Sequence, residues 1–221
     1  MKLTFNGHAC TTIESADGRV IVTDPYLHGA FGGKLTHAPL KVAADAVWVS
    51  HGHLDHSHVT PDLGPGDGSL PRIVDRSCRA AGVDFEVVST YHDREGGTRM
   101  GMTGMVRFEL DGIHVAHLGD IGCELSPQDV ARLRPVDVLL WPVGGTYTLG
   151  PEDAAHVLGL LKPRLAIPLH FEHERCALGM EPVESLLKEL QVPWSRPGTH
   201  HWSSESGLPE RTEVLVLEPA L

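Results

Sequence analysis

Apolar positions in the first part of the chain fall into short runs that predict β-strands. The β-prone runs are Leu3–Phe5, Thr11–Glu14 and Val20–Thr23, and Asp17-Gly18 between the last two is a hairpin-turn signal. These runs predict an antiparallel meander. A further apolar run, Ala46–Ser50, has the length of a strand and ends directly before a histidine.

The middle of the chain repeats this pattern and then changes to alternating strands and helices. Met105–Leu110 and Ile113–Leu118 flank Asp111-Gly112, which predicts a second hairpin. Val138–Trp141 and Leu165–Pro168 are fully apolar runs typical of buried strands.

Three helices are predicted around these later strands. One begins at Ser126-Pro127 and ends near Leu133, one opens at Pro151 with two acidic residues behind it, and one covers Pro182–Leu190. The Gly- and Pro-rich stretch Leu63–Pro71 predicts a loop that joins elements rather than domains. We therefore expect a single α/β domain over residues 1–221, a four-layer αββα sandwich with strand-end loops along one edge.

Composition excludes several classes of protein. The formal charge of −11 argues against broad attraction to nucleic acid or to an anionic membrane. No apolar stretch is long enough to cross a bilayer, and no secretory signal precedes the first strand. Four cysteines without CxxC spacing fit reduced thiols. These observations predict a cytoplasmic protein with a small-molecule substrate, without nucleic-acid or membrane partners.

Histidine is the unusual residue, with 15 in 221 positions. The segment His51-Gly52-His53-Leu54-Asp55-His56 places three imidazoles and a carboxylate in six residues after a predicted strand. Such a nitrogen and oxygen donor set suits zinc or another first-row divalent ion. This density of donors indicates a metal site rather than a polar surface turn.

The segment matches the HxHxDH signature residue for residue, and the chain thereby resembles the metallo-β-lactamase superfamily. It is most similar to the small bacterial group of ascorbate-6-phosphate lactonase-like and uncharacterised metal-dependent hydrolases. Three further segments carry the resemblance: Asn6-Gly7-His8, Leu118-Gly119-Asp120-Ile121-Gly122 and the stretch from Gly144 to Ala154. The resemblance covers the chain from about Met1 to His170.

The resemblance implies an αββα fold and a complete set of ligands for two metal ions. One ion would be held by His51, His53 and His92, the other by Asp55, His56 and His170, with Asp120 as the bridging ligand. Zinc is the expected metal, with manganese or iron as alternatives.

Other residues are predicted to act beside the ligands. Asp24 in Thr23-Asp24-Pro25 matches the carboxylate that orients ligand histidines in the superfamily, although Asp-Pro is also a turn signal. His8 is a candidate for substrate contact, proton transfer or structure. Tyr147 and Thr148 are candidates for substrate contact. The same is proposed for a set of residues near the motifs: Tyr26, His28, Lys34, Arg94, Arg99 and His173.

The ligand set predicts hydrolysis by a hydroxide that two metal ions activate, with Asp55 and Asp120 as catalytic residues and a small ester, lactone or phosphoester as substrate. An iron-dependent oxidoreductase on the same fold is the main alternative, but the diiron oxygen reductases that resemble this superfamily usually carry Glu at the position of His53. A nuclease or a non-catalytic metal-binding protein are further alternatives.

Two other groups of histidines are left outside the predicted site. His114 and His117 point to opposite faces of one strand, although His117 could support Asp120. The pair His200-His201 fits an exposed loop equally well. A homo-oligomer is possible on the sequence, but no self-complementary motif specifies one.

Overall fold

Fourteen strands form two mixed β-sheets in the computed structural model, which describes residues 1–221. The strands are β1 (Lys2–Gly7), β2 (Cys10–Glu14), β3 (Val20–Thr23), β4 (Ala46–Trp48), β5 (Arg72–Val74), β6 (Cys78–Ala80), β7 (Val83–Tyr91), β8 (Met102–Leu110), β9 (Ile113–His117), β10 (Val138–Pro142), β11 (Leu165–Leu169), β12 (Trp194–Ser195), β13 (His201–Ser203) and β14 (Glu213–Leu215). The helices are α1 (Ala30–Gly33), α2 (Pro127–Leu133), α3 (Pro151–Leu161) and α4 (Val183–Glu189), with 3-10 turns at Pro61–Leu63 and Ser204–Ser206.

The first sheet has the strand order β13-β1-β2-β3-β4-β5. Its strands β1, β2 and β3 pair antiparallel, as the sequence predicts, with Asp17 and Gly18 in the β2–β3 turn. Strands β4 and β5 then add in parallel to β3. The distant strand β13 closes the other edge by pairing Leu3 with Trp202.

The second sheet has the order β12-β14-β11-β10-β9-β8-β7-β6. The predicted hairpin of β8 and β9 forms around Asp111-Gly112, where both residues have left-handed φ angles of 54° and 73°. Strands β9, β10 and β11 run parallel, and helices α2 and α3 supply the connections between them. Parallel strands need such crossovers, and their coverage explains why β10 and β11 are apolar throughout.

Alternation along the first sheet separates two cores. On β3 and β4, Ile21, Ala46 and Trp48 belong to the main core of 45 buried residues, whereas Val22 and Val47 face a smaller cluster of nine. Because neighbouring side chains of a strand point to opposite faces, the smaller cluster covers the outer face of the first sheet. The main core fills the space between the sheets and continues under α3 and α4 on the other side of the second sheet.

Helix boundaries follow local signals. Helix α2 begins with a capping box, in which the Ser126 hydroxyl accepts from the Asp129 backbone N–H and the Asp129 carboxylate accepts from the Ser126 backbone N–H. Helix α3 has Pro151 in its first turn and packs on the second sheet, where the Trp141 indole N–H donates to the Ala154 carbonyl at 3.2 Å. The αββα class predicted from the sequence is confirmed, with the short turn α1 and its flanking loops as the outer layer over the first sheet.

No helix of the chain is both long enough and apolar enough to span a membrane. All four cysteines are unpaired.

Candidate metal centre and its cavity

The predicted ligands lie at strand ends along one edge of the molecule. Strands β7, β9 and β11 run in the same direction, because β8 is antiparallel to both β7 and β9 while β10 is parallel to both β9 and β11. His92 directly follows β7, Asp120 follows β9 and His170 directly follows β11. The His51–His56 loop follows β4 of the first sheet and meets them at this edge.

Three histidines form the first group of donor atoms. One ring nitrogen from each of His51, His53 and His92 lies within 4.8 Å of the others, and His51 Nε2 is 2.9 Å from His53 Nδ1. The second group is formed by Asp55, His56 and His170, together with His8, within the same limit. These are the two triplets that the sequence predicts, with one additional histidine.

Asp120 lies between the two groups. Its Oδ2 atom is 3.4 Å from His92 Nε2 and 4.0 Å from His51 Nε2 on one side, and 3.0 Å from His56 Nε2 and 3.2 Å from His170 Nε2 on the other. A carboxylate in this position can be shared by two cations. Burial of Asp120 disfavours its ionised form, but the neighbouring His170 and His56 outweigh that effect and hold its pKa well below the usual value.

Asp24 sets the protonation pattern of two of the histidines that are predicted as ligands. Its carboxylate accepts from the Ser50 backbone N–H at 2.7 Å, from the Ser50 hydroxyl at 2.7 Å and from His56 Nδ1–H at 3.1 Å. The single hydroxyl proton of Ser50 is thus committed to Asp24, so the hydroxyl oxygen must accept from His51 Nδ1–H at 2.9 Å. Because Nδ1 is committed in both rings, Nε2 is the nitrogen that each ring can offer to a metal ion, which for His56 would displace a proton.

His8 is linked to the second group through Asp55. Its Nε2–H donates to Asp55 Oδ2 at 2.9 Å, and its Nδ1 is 3.3 Å from the Cys176 thiol. Burial, and next the nearby His170, lower the pKa of His8 to about 4, so the ring is neutral at neutral pH and holds one proton for Asp55. The thiol of Cys176, whose pKa burial raises to about 12, stays protonated and donates to the other nitrogen.

The chemistry of the donor atoms fits a metal centre. Buried atoms of the second group and of Asp120 have no hydrogen-bond partner: Asp55 Oδ1, His56 Nε2 and Asp120 Oδ1. Unsatisfied polar atoms at such density are rare in a folded interior, and divalent ions of the zinc type satisfy this mixture of imidazole and carboxylate. Burial disfavours the charged form of His56, yet the carboxylates of Asp120 and Asp55 raise its pKa well above the ordinary value. The cluster therefore attracts positive charge.

Backbone strain is concentrated at the same place. His8, Asp24 and His170 have left-handed φ angles of 55°, 38° and 54°. Such angles cost free energy in residues other than glycine and persist where the surroundings enforce them, commonly at functional sites.

The loop that carries Asp120 is held by His117 and by the close approach of Gly119 to Gly104. His117 Nε2–H donates to the Ala9 carbonyl at 3.1 Å, and its Nδ1 accepts from the Gly119 backbone N–H at 3.0 Å. The predicted support of Asp120 by His117 thus takes this indirect form. A Cβ on Gly119, whose φ is 52°, would lie 2.4 Å from the Gly104 carbonyl oxygen. Only glycine fits this close approach of the loop to strand β8.

A cavity of about 560 Å³ opens above the donor atoms. His53, Asp55, His92, Asp120 and His170 line it, and so do Lys34 and Tyr147 among the predicted substrate residues.

Other predicted substrate residues lie elsewhere. Tyr26 is turned into the outer core, where its hydroxyl donates to the Ala38 carbonyl, and Thr148 lines a neighbouring depression. Arg94 pairs with Asp153, and Arg99 lies beside Glu95.

The remaining two predicted residues lie outside the lining of the cavity as well. His28 is bonded through Nδ1 to the His37 carbonyl, and His173 stacks on the His37 ring with centroids 6.0 Å apart. Strand β13 places His201 opposite Thr4, on the far edge of the first sheet from β4.

The structure also adds residues that the sequence analysis does not single out. Ser50, Cys176 and Phe31 are the main ones. Ser50 directly precedes the motif, which is a usable signal, whereas Cys176 and Phe31 are distant in sequence from the residues they accompany.

Comparison with known proteins places the chain among metal-dependent enzymes. The family model described as the beta-lactamase superfamily domain matches residues 2–170. A UPF0173 metal-dependent hydrolase from Pelotomaculum thermopropionicum is 32% identical over 197 residues, covering 77% of this chain and 84% of that protein. The corresponding protein from Archaeoglobus fulgidus is 30% identical over 199 residues, covering 77% and 83%. A crystal structure from Thermotoga maritima, of a protein of the metallo-β-lactamase superfamily, superposes with a TM-score of 0.75 at 33% identity, covering 98% of this chain and 99% of that one.

Proposed function

The chain belongs to the metallo-β-lactamase superfamily and is a metal-dependent hydrolase, and from this premise we propose that it hydrolyses a small ester or lactone at a two-metal centre. The observation that carries the proposal is the position of Asp120 Oδ2 between two triplets of donor atoms. In this proposal one ion would be held by His51, His53 and His92 and the other by Asp55, His56 and His170, and Asp120 would be shared by both.

Two bound divalent ions would supply a hydroxide near neutral pH and polarise the substrate oxygen. The residues of the chain provide the rest. Asp24 holds His56 directly and His51 through Ser50, so that both rings present Nε2 to the centre. The neutral His8 ring fixes Asp55 through Oδ2 and leaves Oδ1 without a partner.

Asp55 is the residue that we assign to proton transfer. Its Oδ1 atom is buried, and its carboxylate belongs to the lining of the cavity. In ester hydrolysis the water oxygen forms a bond to the carbonyl carbon, the bond from that carbon to the leaving oxygen breaks, and one water proton moves to the leaving oxygen. Asp55 is positioned to carry that proton. No serine or cysteine nucleophile is required.

The test is hydrolysis of lactone, ester and phosphodiester panels by protein loaded with zinc or manganese. Metal-dependent turnover of an ester or lactone supports the proposal, and turnover of phosphodiesters alone would contradict it. Asp55→Asn keeps the shape of the side chain but removes its basicity. It should lower kcat by about a hundredfold or more, since general acid and base groups typically contribute that much. Full turnover and a normal pH profile in this variant, at unchanged metal content, would remove Asp55 from proton transfer.

Iron-dependent oxidation is the second candidate, because the same histidine and carboxylate donors accept iron. The observation against it is His53, which lies within the first triplet as an imidazole donor. Oxygen uptake by iron-loaded protein without hydrolysis would favour it.

A further inference from the structure

The walls of the cavity differ sharply from its floor. The floor consists of the donor atoms described above, whereas the walls are formed by Phe31, Leu54, Met100, Tyr147 and Leu178 with the single charged side chain of Lys34. The lining contains no Ser, Thr, Asn, Gln or Arg. The Tyr147 hydroxyl lies 3.3 Å from the Leu178 carbonyl, to which it donates. Within this cavity, polar side chains away from the donor atoms are therefore limited to Lys34, whereas Arg99 and Thr148 line the adjoining depression, which shares Met100 and Tyr147 with the cavity.

This lining disfavours a polyhydroxylated substrate. Each hydroxyl group that leaves water without finding a partner costs free energy. Sites that recognise hydroxyl-rich molecules supply matching donors and acceptors, and these walls supply almost none. An apolar group, in contrast, would bury surface against five side chains at once.

Phe31 provides an independent indication. Its backbone has a left-handed φ of 55°, between Gly29, Gly32 and Gly33, which share that conformation. A bulky side chain is unfavourable there, yet the ring is held 46% exposed at the cavity rather than packed into the core. Contact between the ring and a ligand would offset this strain.

Leu54 lines the cavity next to the predicted metal ligands. It lies between His53 and Asp55 in the sequence and is 55% exposed. Its carbonyl accepts from the Leu27 N–H at 2.9 Å, which ties this loop to the segment that leads to Phe31. The apolar wall thus begins immediately beside the metal centre.

We infer that the substrate is an apolar carboxylic ester or lactone whose alkyl or aryl body packs against Phe31, Leu54 and Tyr147, and not a sugar-derived lactone. This rests on the proposed hydrolytic function. The resemblance to the ascorbate-6-phosphate lactonase-like group would suggest a hydroxyl-rich lactone. The apolar walls of this cavity favour an alkyl or aryl substituent instead.

The experiment compares two pairs of probes on zinc-loaded protein. δ-Octalactone and glucono-δ-lactone share a six-membered lactone ring, but the first carries an alkyl group and the second carries hydroxyl groups. Octanoate and gluconate share a carboxylate and differ in the same way. We expect kcat/KM to be at least tenfold higher for δ-octalactone, and octanoate to bind at least tenfold more tightly than gluconate in calorimetry. The inference would be overturned if kcat/KM for glucono-δ-lactone were equal to or higher than that for δ-octalactone, or if gluconate bound as tightly as octanoate.

Variants separate ligand contact from structural damage. Leu54→Asn should weaken octanoate binding about fivefold, as expected for losing roughly 1 kcal/mol of apolar contact. Leu70→Asn is its matched control, because Leu70 is 51% exposed and lies outside the lining of the cavity. Equal effects of the two variants on octanoate binding would contradict the inference.

Phe31→Asn adds a readout of stability. Asparagine tolerates left-handed φ, so this variant should weaken octanoate binding while the free energy of unfolding stays the same or rises. A large loss of stability with unchanged binding would show that the ring serves the fold.

The two proposals fail in distinguishable ways. If zinc-loaded protein hydrolyses neither lactone but binds octanoate in preference to gluconate, the hydrolytic proposal fails and the apolar wall stands. If hydrolysis occurs and glucono-δ-lactone is the better substrate, the hydrolytic proposal stands and the inference of an apolar substrate fails.

Discussion

The Ser50 hydroxyl connects the Asp24 carboxylate to the His51 ring. Both of its hydrogen bonds are short, at 2.7 and 2.9 Å, and only one direction of donation is possible because an ionised carboxylate cannot donate. Burial disfavours ionisation of Asp24, but His56 hydrogen-bonded to it lowers its pKa overall, so the carboxylate is charged.

Ser50→Ala should therefore weaken zinc binding. The His51 Nδ1–H loses its acceptor, and the ring is no longer held with Nε2 free. Loss of such a supporting contact typically costs about 10–100-fold in metal affinity. Competition with a chromophoric chelator measures the change.

Ser69→Ala is the control for this experiment, since the Ser69 hydroxyl bonds only within an exposed loop, to Asp67 at 2.6 Å. An unchanged zinc affinity in Ser50→Ala would show that the hydroxyl does not position His51.

At the level of elements, the site depends on the close approach of β8 to the loop after β9. Gly119→Ala introduces a Cβ that would lie 2.4 Å from the Gly104 carbonyl oxygen, at a left-handed φ. We expect the free energy of unfolding to fall by about 2 kcal/mol or more, because strain and overpacking combine. Urea unfolding measures this loss, and zinc affinity should fall with it since Asp120 is the next residue.

Gly159→Ala in α3 is the matched control. This glycine is exposed in the helix, and nothing lies within 4 Å of the added Cβ. The same substitution should here stabilise the protein by about 0.5–1 kcal/mol. Similar effects in the two variants would contradict the structural account of Gly119.

The early strands and the three longer helices were predictable because their signals are local. Short β-prone runs and the Asp17-Gly18 turn between them indicate β2 and β3, and Ser126-Pro127 marks the start of α2. A strand before His92 is expected from the sequence, but the bounds of β7 are not predicted, because the alternation of Val83 and Phe85 with polar residues breaks at Val87-Val88.

The short strands β12, β13 and β14 could not be predicted, since each depends on partners far away in the chain. The same distinction applies to the site. The contiguous His51–His56 segment is readable from the sequence, whereas the contacts of Ser50 with Asp24 and of Cys176 with His8 exist only after folding.

At the scale of the whole molecule, buried neutral histidines make stability depend on pH. Burial lowers the pKa of His8 and His37 to about 4 and that of His51 to about 3. In the unfolded chain the pKa of these rings is about 6.5, so between pH 6.5 and 4 the unfolded chain binds more protons than the folded protein does. The stabilisation is complete above pH 6.5 and is lost as the pH falls toward 4.

His56 does not cancel this dependence. Its pKa is raised, so the stability that it contributes is lost as the pH rises above about 6.5 and is complete well below it. Near pH 7 this single ring opposes three rings with lowered pKa values, and at pH 5 it adds no slope. Urea unfolding of metal-free protein at pH 7, 6 and 5 should thus show falling stability. His37→Gln should reduce the slope, because His37 lies outside the ligand groups. Constant or rising stability toward pH 5 would contradict the burial of these rings.

The central claim is that two triplets of donor atoms, joined by Asp120, hold two metal ions. The measurement that tests it most directly is a calorimetric zinc titration of metal-free protein, with elemental analysis of the product. The account predicts two ions per chain for the natural sequence and loss of one tightly bound ion in His92→Ala. A single ion in the natural sequence, or binding that His92→Ala leaves unchanged, would contradict it.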